Sequence, residues 1–154
     1  MIKHAEPAND FETFMGLILA KLYEERGKRP HLSAEDFGLL QPNEVSPPDE
    51  WARVEVWQNT FKWLEAEGYV RHEALAGGSF SEDVYVGCEL TERGFRVLNS
   101  LPPGLKERAD QRSLGAQLVE LGKKAGWRAA TKGAEMGADQ ATHRIVDLVQ
   151  HWFT

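Results

Sequence analysis

The chain has 154 residues, of which 42% are hydrophobic and 27% are charged, and its formal net charge is −6. This composition excludes an intrinsically disordered chain and indicates an ordinary globular protein, with one core or with a small domain and a helical extension. The charge is uneven, because residues 1–110 carry 12 Lys or Arg against 20 Asp or Glu, whereas residues 111–154 carry 6 against 4. Since basic side chains drive nucleic-acid binding, the acidic first region disfavours it.

The chain shows no pattern typical of a membrane or secreted protein. Its longest markedly apolar stretch, residues 14–22, is too short to span a bilayer. Residues 1–7 lack the basic, apolar and small-residue order of a secretory signal, so we expect a cytoplasmic protein. A single cysteine, Cys88, excludes an internal disulfide and a multi-cysteine metal site.

Hydrophobic periodicity predicts three helices in the first part of the chain. The first covers residues 11–26, after Asp10 as N-cap. A short second helix begins with a capping box at Ser33, and the third follows Asp49 and ends before Gly68.

The hydrophobic period then changes to that of strands. Residues 69–74 and 84–90 predict a hairpin whose turn contains Gly77 and Gly78. A fourth helix, residues 92–99, follows Thr91 and ends before two prolines. We therefore expect one domain at residues 1–101 and a helical tail at residues 102–154.

Two sequence motifs carry a resemblance to a known superfamily. The segments WLEAEGYV at residues 63–70 and LTERGFRVL at residues 90–98 resemble winged helix-turn-helix proteins of the bacterial regulator type. The resemblance covers about residues 10–100 and implies a winged helix-turn-helix domain. With the tail, the expected fold class is mainly α with a small β-hairpin, plus a long C-terminal helical extension.

The resemblance also implies candidate DNA-binding residues on the third helix and beside the wing: Arg53, Gln58, Asn59, Lys62, Arg71 and His72. Arg, Gln and Asn are suitable readers of base edges, and Lys is a suitable phosphate contact. Several acidic residues share the same helix and wing, namely Glu50, Glu55, Glu65, Glu67, Glu82 and Asp83. Nucleic-acid binding is therefore possible but disfavoured by the local charge.

The third helix is apolar on two sides. One stripe contains Val54, Trp57, Phe61 and Leu64, and a second contains Ala52, Val56 and Trp63. A helix that is apolar on both sides is usually buried on both sides. We expect Val56 and Trp63 to be covered by the tail or by a second subunit; the alternative is that they are exposed as single apolar residues.

The tail lacks proline from residue 105 to residue 153, which predicts one long helix. It also contains an eleven-residue glycine repeat, which places five glycines on one stripe: Gly115, Gly122, Gly126, Gly133 and Gly137. Interior glycines cost a helix about 1 kcal/mol each. Close approach of a second helix is the usual compensation, so the stripe predicts contact with the tail's own domain, a second copy or a partner protein.

The charged side of the tail excludes a plain membrane span, although a basic amphipathic helix can lie on a bilayer. Nothing in the sequence indicates an enzyme, a cofactor or a metal site. His143, Asp147 and His151 share one helix face, but helix rise separates the outer two by about 12 Å, too far for one ion.

The sequence therefore favours a noncatalytic winged-helix module that self-associates or binds a protein through the glycine repeat and the outer face of the third helix. The alternatives are a DNA-binding transcriptional regulator that dimerises through the tail, and a membrane-active effector that uses the basic amphipathic tail. The partner, the DNA sequence, the oligomeric state and the pathway are not indicated by the sequence.

Overall fold

A computed structural model describes residues 7–40, 48–77, 83–100, 112–128 and 136–153. In this part of the chain the protein is mainly helical, with two short antiparallel strand pairs. The helices are α1 (Pro7–Glu24), α2 (Pro48–Ala66), α3 (Glu92–Leu98), α4 (Leu114–Lys124) and α5 (Met136–Phe153), and a 3₁₀ turn occupies Ala34–Phe37. The strands are β1 (Val70–Arg71), β2 (Ala74–Ala76), β3 (Val84–Val86) and β4 (Glu89–Leu90).

Helix α1 lies at the centre of the fold. All of residues 13–20 are buried, which agrees with their almost unbroken run of apolar and small side chains. α1 packs against α2, α4 and α5. The helix starts at Pro7, four residues before the predicted start, so Asp10 lies within its first turn and not at its N-cap. Proline is favoured in the first helical turn because its missing N–H would have no helical partner there.

The four strands belong to one interrupted hairpin. β1 pairs with β4 and β2 pairs with β3, both antiparallel, so the predicted strand pairing is confirmed. Leu32 adds a bridge on the other side of β3 through two backbone hydrogen bonds with Tyr85, of 2.9 and 2.8 Å. The predicted turn falls mostly on residues 78–82, which lie outside the described residues.

Helix α3 docks directly on the end of α2 and the start of the hairpin. The Thr91 hydroxyl caps α3 by accepting from Gly94 N at 3.1 Å and donates to the Gly68 carbonyl at 2.5 Å. A Cβ atom at Gly94 would lie 2.3 Å from the Tyr69 carbonyl oxygen. The glycine of the LTERG motif is therefore required by backbone contact.

The prediction of one long helix over residues 105–153 is wrong. α4 ends at Lys124, and the following turn places Gly126 and Trp127 in the left-handed region, at φ +66° and +62°. Trp127 N donates to the Gly122 carbonyl at 2.8 Å, which closes the end of α4. The Trp127 ring lies over Gly122, with Lys21 Nζ 4.7 Å from its centroid. Local side-chain packing thus ends the helix where apolar periodicity alone predicts its continuation.

The two C-terminal helices share a core with the rest of the chain. Leu114, Leu118, Ile145 and Val149 are buried in the same cluster as the apolar side of α1. Gly16 of α1 permits the contact, since a Cβ there would lie 2.3 Å from Cγ2 of Ile145. α4 and α5 thus contribute side chains to the same hydrophobic core as α1.

Candidate interaction surface

The predicted glycine stripe has no common exposed face. Gly115 is buried against α1, where an added Cβ would lie 2.7 Å from the Tyr23 ring. Gly122 is buried under Trp127, with a corresponding distance of 2.4 Å. Gly126 is exposed in a turn, and an added Cβ would meet nothing within 4 Å. Close approach of another helix is found at Gly115, within the same chain, whereas Gly122 is covered only by the nearby Trp127 side chain.

The remaining two glycines give no information on the stripe. Gly133 lies outside the described residues, and for Gly137 the structure describes only a backbone position inside α5. Because α4 and α5 are separate helices, the eleven-residue repeat does not run along one helix axis.

The second apolar side of α2 is partly covered by its own chain, and Ala52 on that side is exposed. The Trp63 ring contacts Phe11 of α1 edge-on, with centroids 5.5 Å apart, and Tyr69 at 6.3 Å. Val56 is half-buried and packs against the core. Phe11 of α1 thus covers part of Trp63, which is half-buried, and cover of the remainder by a second subunit stays a prediction.

Three of the six candidate DNA-binding residues are held by carboxylates. Arg53 donates to both oxygens of the buried Asp10, at 3.1 and 3.3 Å, and it lies over the Phe14 ring. Arg71 Nε lies 2.6 Å from Glu89 Oε1, which Arg29 also contacts. These two arginine partners lower the pKa of Glu89, the hydrogen bond from Arg29 being the larger cause. The phosphate-binding capacity of these arginines is thus partly used within the chain.

His72 is held in the same way, with Nδ1 2.5 Å from Glu65 Oε2. Its ring also packs edge-on against Tyr85, at a centroid distance of 5.0 Å. His72 therefore joins the end of α2 to the hairpin and does not project as a free wing residue.

The other three candidates, Gln58, Asn59 and Lys62, line an open groove between α2 and the hairpin. The groove has a volume of about 450 Å³. Its remaining walls include Trp51, Glu55 and Asp83, so the described charged side chains are two carboxylates and one ammonium. A surface with this balance attracts cations more strongly than phosphates.

Two large apolar side chains are exposed beside this groove or on the hairpin. Trp51 is 48% exposed and Leu75 is 54% exposed. Leu75 is directly opposite Tyr85 in the β2–β3 register, so the two side chains share one face of the hairpin. Tyr85 stacks on Phe61 of α2 at 4.0 Å, which identifies that face as the one turned toward α2. We name the set Trp51, Glu55, Asn59, Lys62 and Asp83, all of which line the groove, the α2–hairpin surface.

Sequence reasoning missed Trp51 and Leu75. The available signal was that Trp51 belongs to neither apolar stripe of α2 and shares its side with Glu55 and Lys62. For Leu75, the signal was an apolar residue within a short segment close to a glycine turn. Neither signal separates an exposed residue from one that a later segment covers, so the tertiary structure was needed.

The interior holds few groups suited to chemistry. Cys88 is fully buried, and burial raises the pKa of its thiol to about 12, so it is a poor nucleophile. Within the described ranges, no three His, Cys, Asp or Glu side chains are grouped so as to hold a metal ion. No helix in the described part of the chain is long and apolar enough to cross a membrane.

The chain was also compared with known proteins. No protein family, no curated protein and no solved structure matches it.

Proposed function

We propose that the chain is a noncatalytic winged-helix module that binds a protein, either a second copy or a partner, through the α2–hairpin surface. The observation that carries the proposal is the exposure of Trp51 at the rim of a groove on the outer side of α2. Tryptophan is enriched at the energetic centres of protein interfaces, because it buries a large apolar area with few rotatable bonds.

The order of elements supports a winged-helix architecture. A core helix is followed by a bridge strand at Leu32, a 3₁₀ turn, α2, a hairpin and α3. In this arrangement α2 has the position of the recognition helix and the β2–β3 hairpin that of the wing. Both would form one binding face.

The charges on this face favour a protein over DNA. Arg53, Arg71 and His72 already contact carboxylates, and the groove adds Glu55 and Asp83. We therefore infer that the bound segment carries a basic side chain next to an apolar one. The basic group would lie near Glu55 or Asp83, and the apolar group would cover Trp51.

The buried glycines change the expected site of interaction. Gly115 and Gly122 are used for packing against Tyr23 and Trp127, so they offer no surface to a partner. The burial of these glycines makes the α2–hairpin surface a better candidate for the interface than the C-terminal region. The same holds for the alternative function, in which a dimer binds DNA.

The test compares the wild-type chain with Trp51→Ala. Solution mass is measured by light scattering over a concentration series, and binding is measured on an array of peptides that place Lys or Arg beside Leu or Phe. We expect self-association or peptide binding by the wild-type chain, weakened at least tenfold in Trp51→Ala. Arg96→Ala, on the exposed side of α3, is the matched control and should behave as wild type.

Three results would contradict the proposal. The first is a single-chain mass at every concentration together with no peptide binding. The second is binding that is equal in the wild type and in Trp51→Ala. The third is retention on duplex DNA at low salt that falls when Lys62 is changed to alanine, which would favour the DNA-binding regulator.

A further inference from the structure

A second cleft lies between α4 and α5, away from the α2–hairpin surface in sequence. Its volume is about 480 Å³, which is within the usual range for small-molecule sites. Leu121 and Ala141 supply apolar wall, and Ala141 is buried. The polar lining consists of Arg112, Gln117, Glu120, Lys124, Gln140 and Arg144.

The charge of this cleft is opposite to that of the protein. Three of its side chains are cationic and one is anionic, whereas the whole chain carries −6. Cations that line one cleft repel each other, and solvent screens part of this repulsion here, because the Arg112 and Lys124 side chains are 50% and 62% exposed. An anion bound between them would remove that repulsion.

Part of the cleft already holds an anion from the chain itself. The Glu120 carboxylate contacts the Arg112 guanidinium through one oxygen and lies 3.4 Å from Lys124 Nζ through the other. The hydrogen bond from Arg112, with a smaller one from Lys124, lowers the pKa of Glu120. Glu120 therefore places one carboxylate between these two cations.

Arg144 completes the cationic lining from the opposite wall, on α5. Among the residues that the structure describes, no carboxylate pairs with it. Gln117 is 5% exposed, and its Nε2 donates to the Arg112 carbonyl at 2.9 Å, so the segment that carries Arg112 is fixed on α4. Among the described residues of the cleft, Arg144 thus has no carboxylate partner, whereas Arg112 and Lys124 both contact Glu120.

The geometry points to a binding site for a phosphate-bearing ligand in the α4–α5 cleft, held by Arg144, Arg112 and Lys124. A phosphate group carries up to two charges and three free oxygens, which suits two guanidinium groups and an ammonium better than a single carboxylate does. Glu120 competes with the ligand for Arg112 and Lys124. This site is independent of the protein interaction proposed above.

The experiment titrates inorganic pyrophosphate into the full chain at low ionic strength and follows the heat of binding. We expect saturable binding by the wild-type chain. Arg144→Gln should weaken it at least tenfold, and Lys124→Gln should weaken it several-fold. Glu120→Gln should strengthen it several-fold, because it removes the carboxylate that competes with the ligand for Arg112 and Lys124, whereas a purely structural Glu120 would not give tighter binding. Arg96→Gln changes an exposed arginine on α3 and should leave the affinity unchanged.

A second experiment distinguishes a lipid phosphate from a soluble phosphate ligand. Sedimentation with phosphatidylcholine vesicles that contain phosphatidic acid tests a lipid headgroup, and retention there with Arg144 dependence would assign the site to lipid phosphate. Binding of pyrophosphate alone would assign it to a soluble ligand. Circular dichroism verifies that each variant is folded, and Lys124→Gln serves in place of Arg144→Gln if that variant does not fold.

The proposal is overturned if neither pyrophosphate nor vesicles bind the wild-type chain. It is also overturned if Arg96→Gln lowers the affinity as much as Arg144→Gln, because the binding would then follow net charge alone. An unchanged affinity in both Arg144→Gln and Lys124→Gln would likewise place the anion elsewhere.

Discussion

The contact between Gly115 and Tyr23 gives the sharpest test of how the C-terminal helices are held. In Gly115→Ala, the new Cβ would lie 2.7 Å from a ring carbon of Tyr23. The ring cannot move away freely, because its hydroxyl donates to Asn99 Oδ1 at 2.7 Å and its face contacts Arg26. The substitution therefore overpacks the interface between α1 and α4.

The expected magnitude follows from two opposing effects. Overpacking costs about 1–3 kcal/mol, whereas alanine in place of glycine favours a helix by up to about 1 kcal/mol. We expect Gly115→Ala to lower the free energy of unfolding by up to about 2 kcal/mol, the difference between the two effects. In a Tyr23→Leu background the ring is absent, so Gly115→Ala should raise the free energy of unfolding by about 0.5–1 kcal/mol.

The assay is a double-mutant cycle by urea unfolding, in which the coupling between positions 115 and 23 is measured directly. Gly126→Ala is the control, because its cost comes from a left-handed φ of +66° and should be about 1–2 kcal/mol in both backgrounds. Solution mass should stay at the wild-type value in Gly115→Ala. An equal cost of Gly115→Ala with and without the Tyr23 ring would refute the argument that this glycine exists for an internal contact.

Two further predictions concern α3 and the buried titratable groups. Gly94→Ala would place a Cβ 2.3 Å from the Tyr69 carbonyl oxygen, and since backbone yields little we expect a loss of about 3 kcal/mol in urea unfolding; a loss within about 0.5 kcal/mol, as for an ordinary surface substitution, would contradict the contact. Burial raises the pKa of Cys88 from 9.0 to about 12 and that of Tyr85 from 10.0 to about 12. The unfolded chain loses these protons at a lower pH than the folded chain does. The contribution of the two groups to the free energy of unfolding is therefore complete below pH 9 and declines as pH rises from 9 to 12. The urea midpoint should fall over this range, with a later onset in Cys88→Ala; a constant midpoint would disprove the assignment.

The sequence predicted the part of the fold that depends on local pattern. The periodicity of apolar residues predicted the first helix, and the structure has α1 at Pro7–Glu24 with all of residues 13–20 buried. Alternation and turn residues likewise predicted the strands that form the hairpin, and Thr91 was correctly identified as the cap of α3. These features are decided by neighbours within a few positions along the chain.

The candidate site was predicted less well. Gln58, Asn59 and Lys62 were identified and do line a groove, but Arg53, Arg71 and His72 proved to contact carboxylates. Asp10 is 43 positions from Arg53. No pattern in a single sequence indicates a pairing at such a separation, because the charge of an arginine is the same whether or not a carboxylate lies beside it.

The C-terminal region shows which features the sequence predicts and which depend on the tertiary structure. The sequence by itself predicted that another segment approaches its glycines closely, since their cost to a helix requires compensation, and the structure has such an approach at Gly115 but not at the exposed Gly126. Only the tertiary structure decided that the segments are Tyr23 and Trp127 of the same chain, and that α4 stops at Lys124. The physical reason is that helix periodicity records which side of a helix is buried, whereas the identity of the covering group depends on contacts such as that of Gly115 with Tyr23, which are distant in sequence.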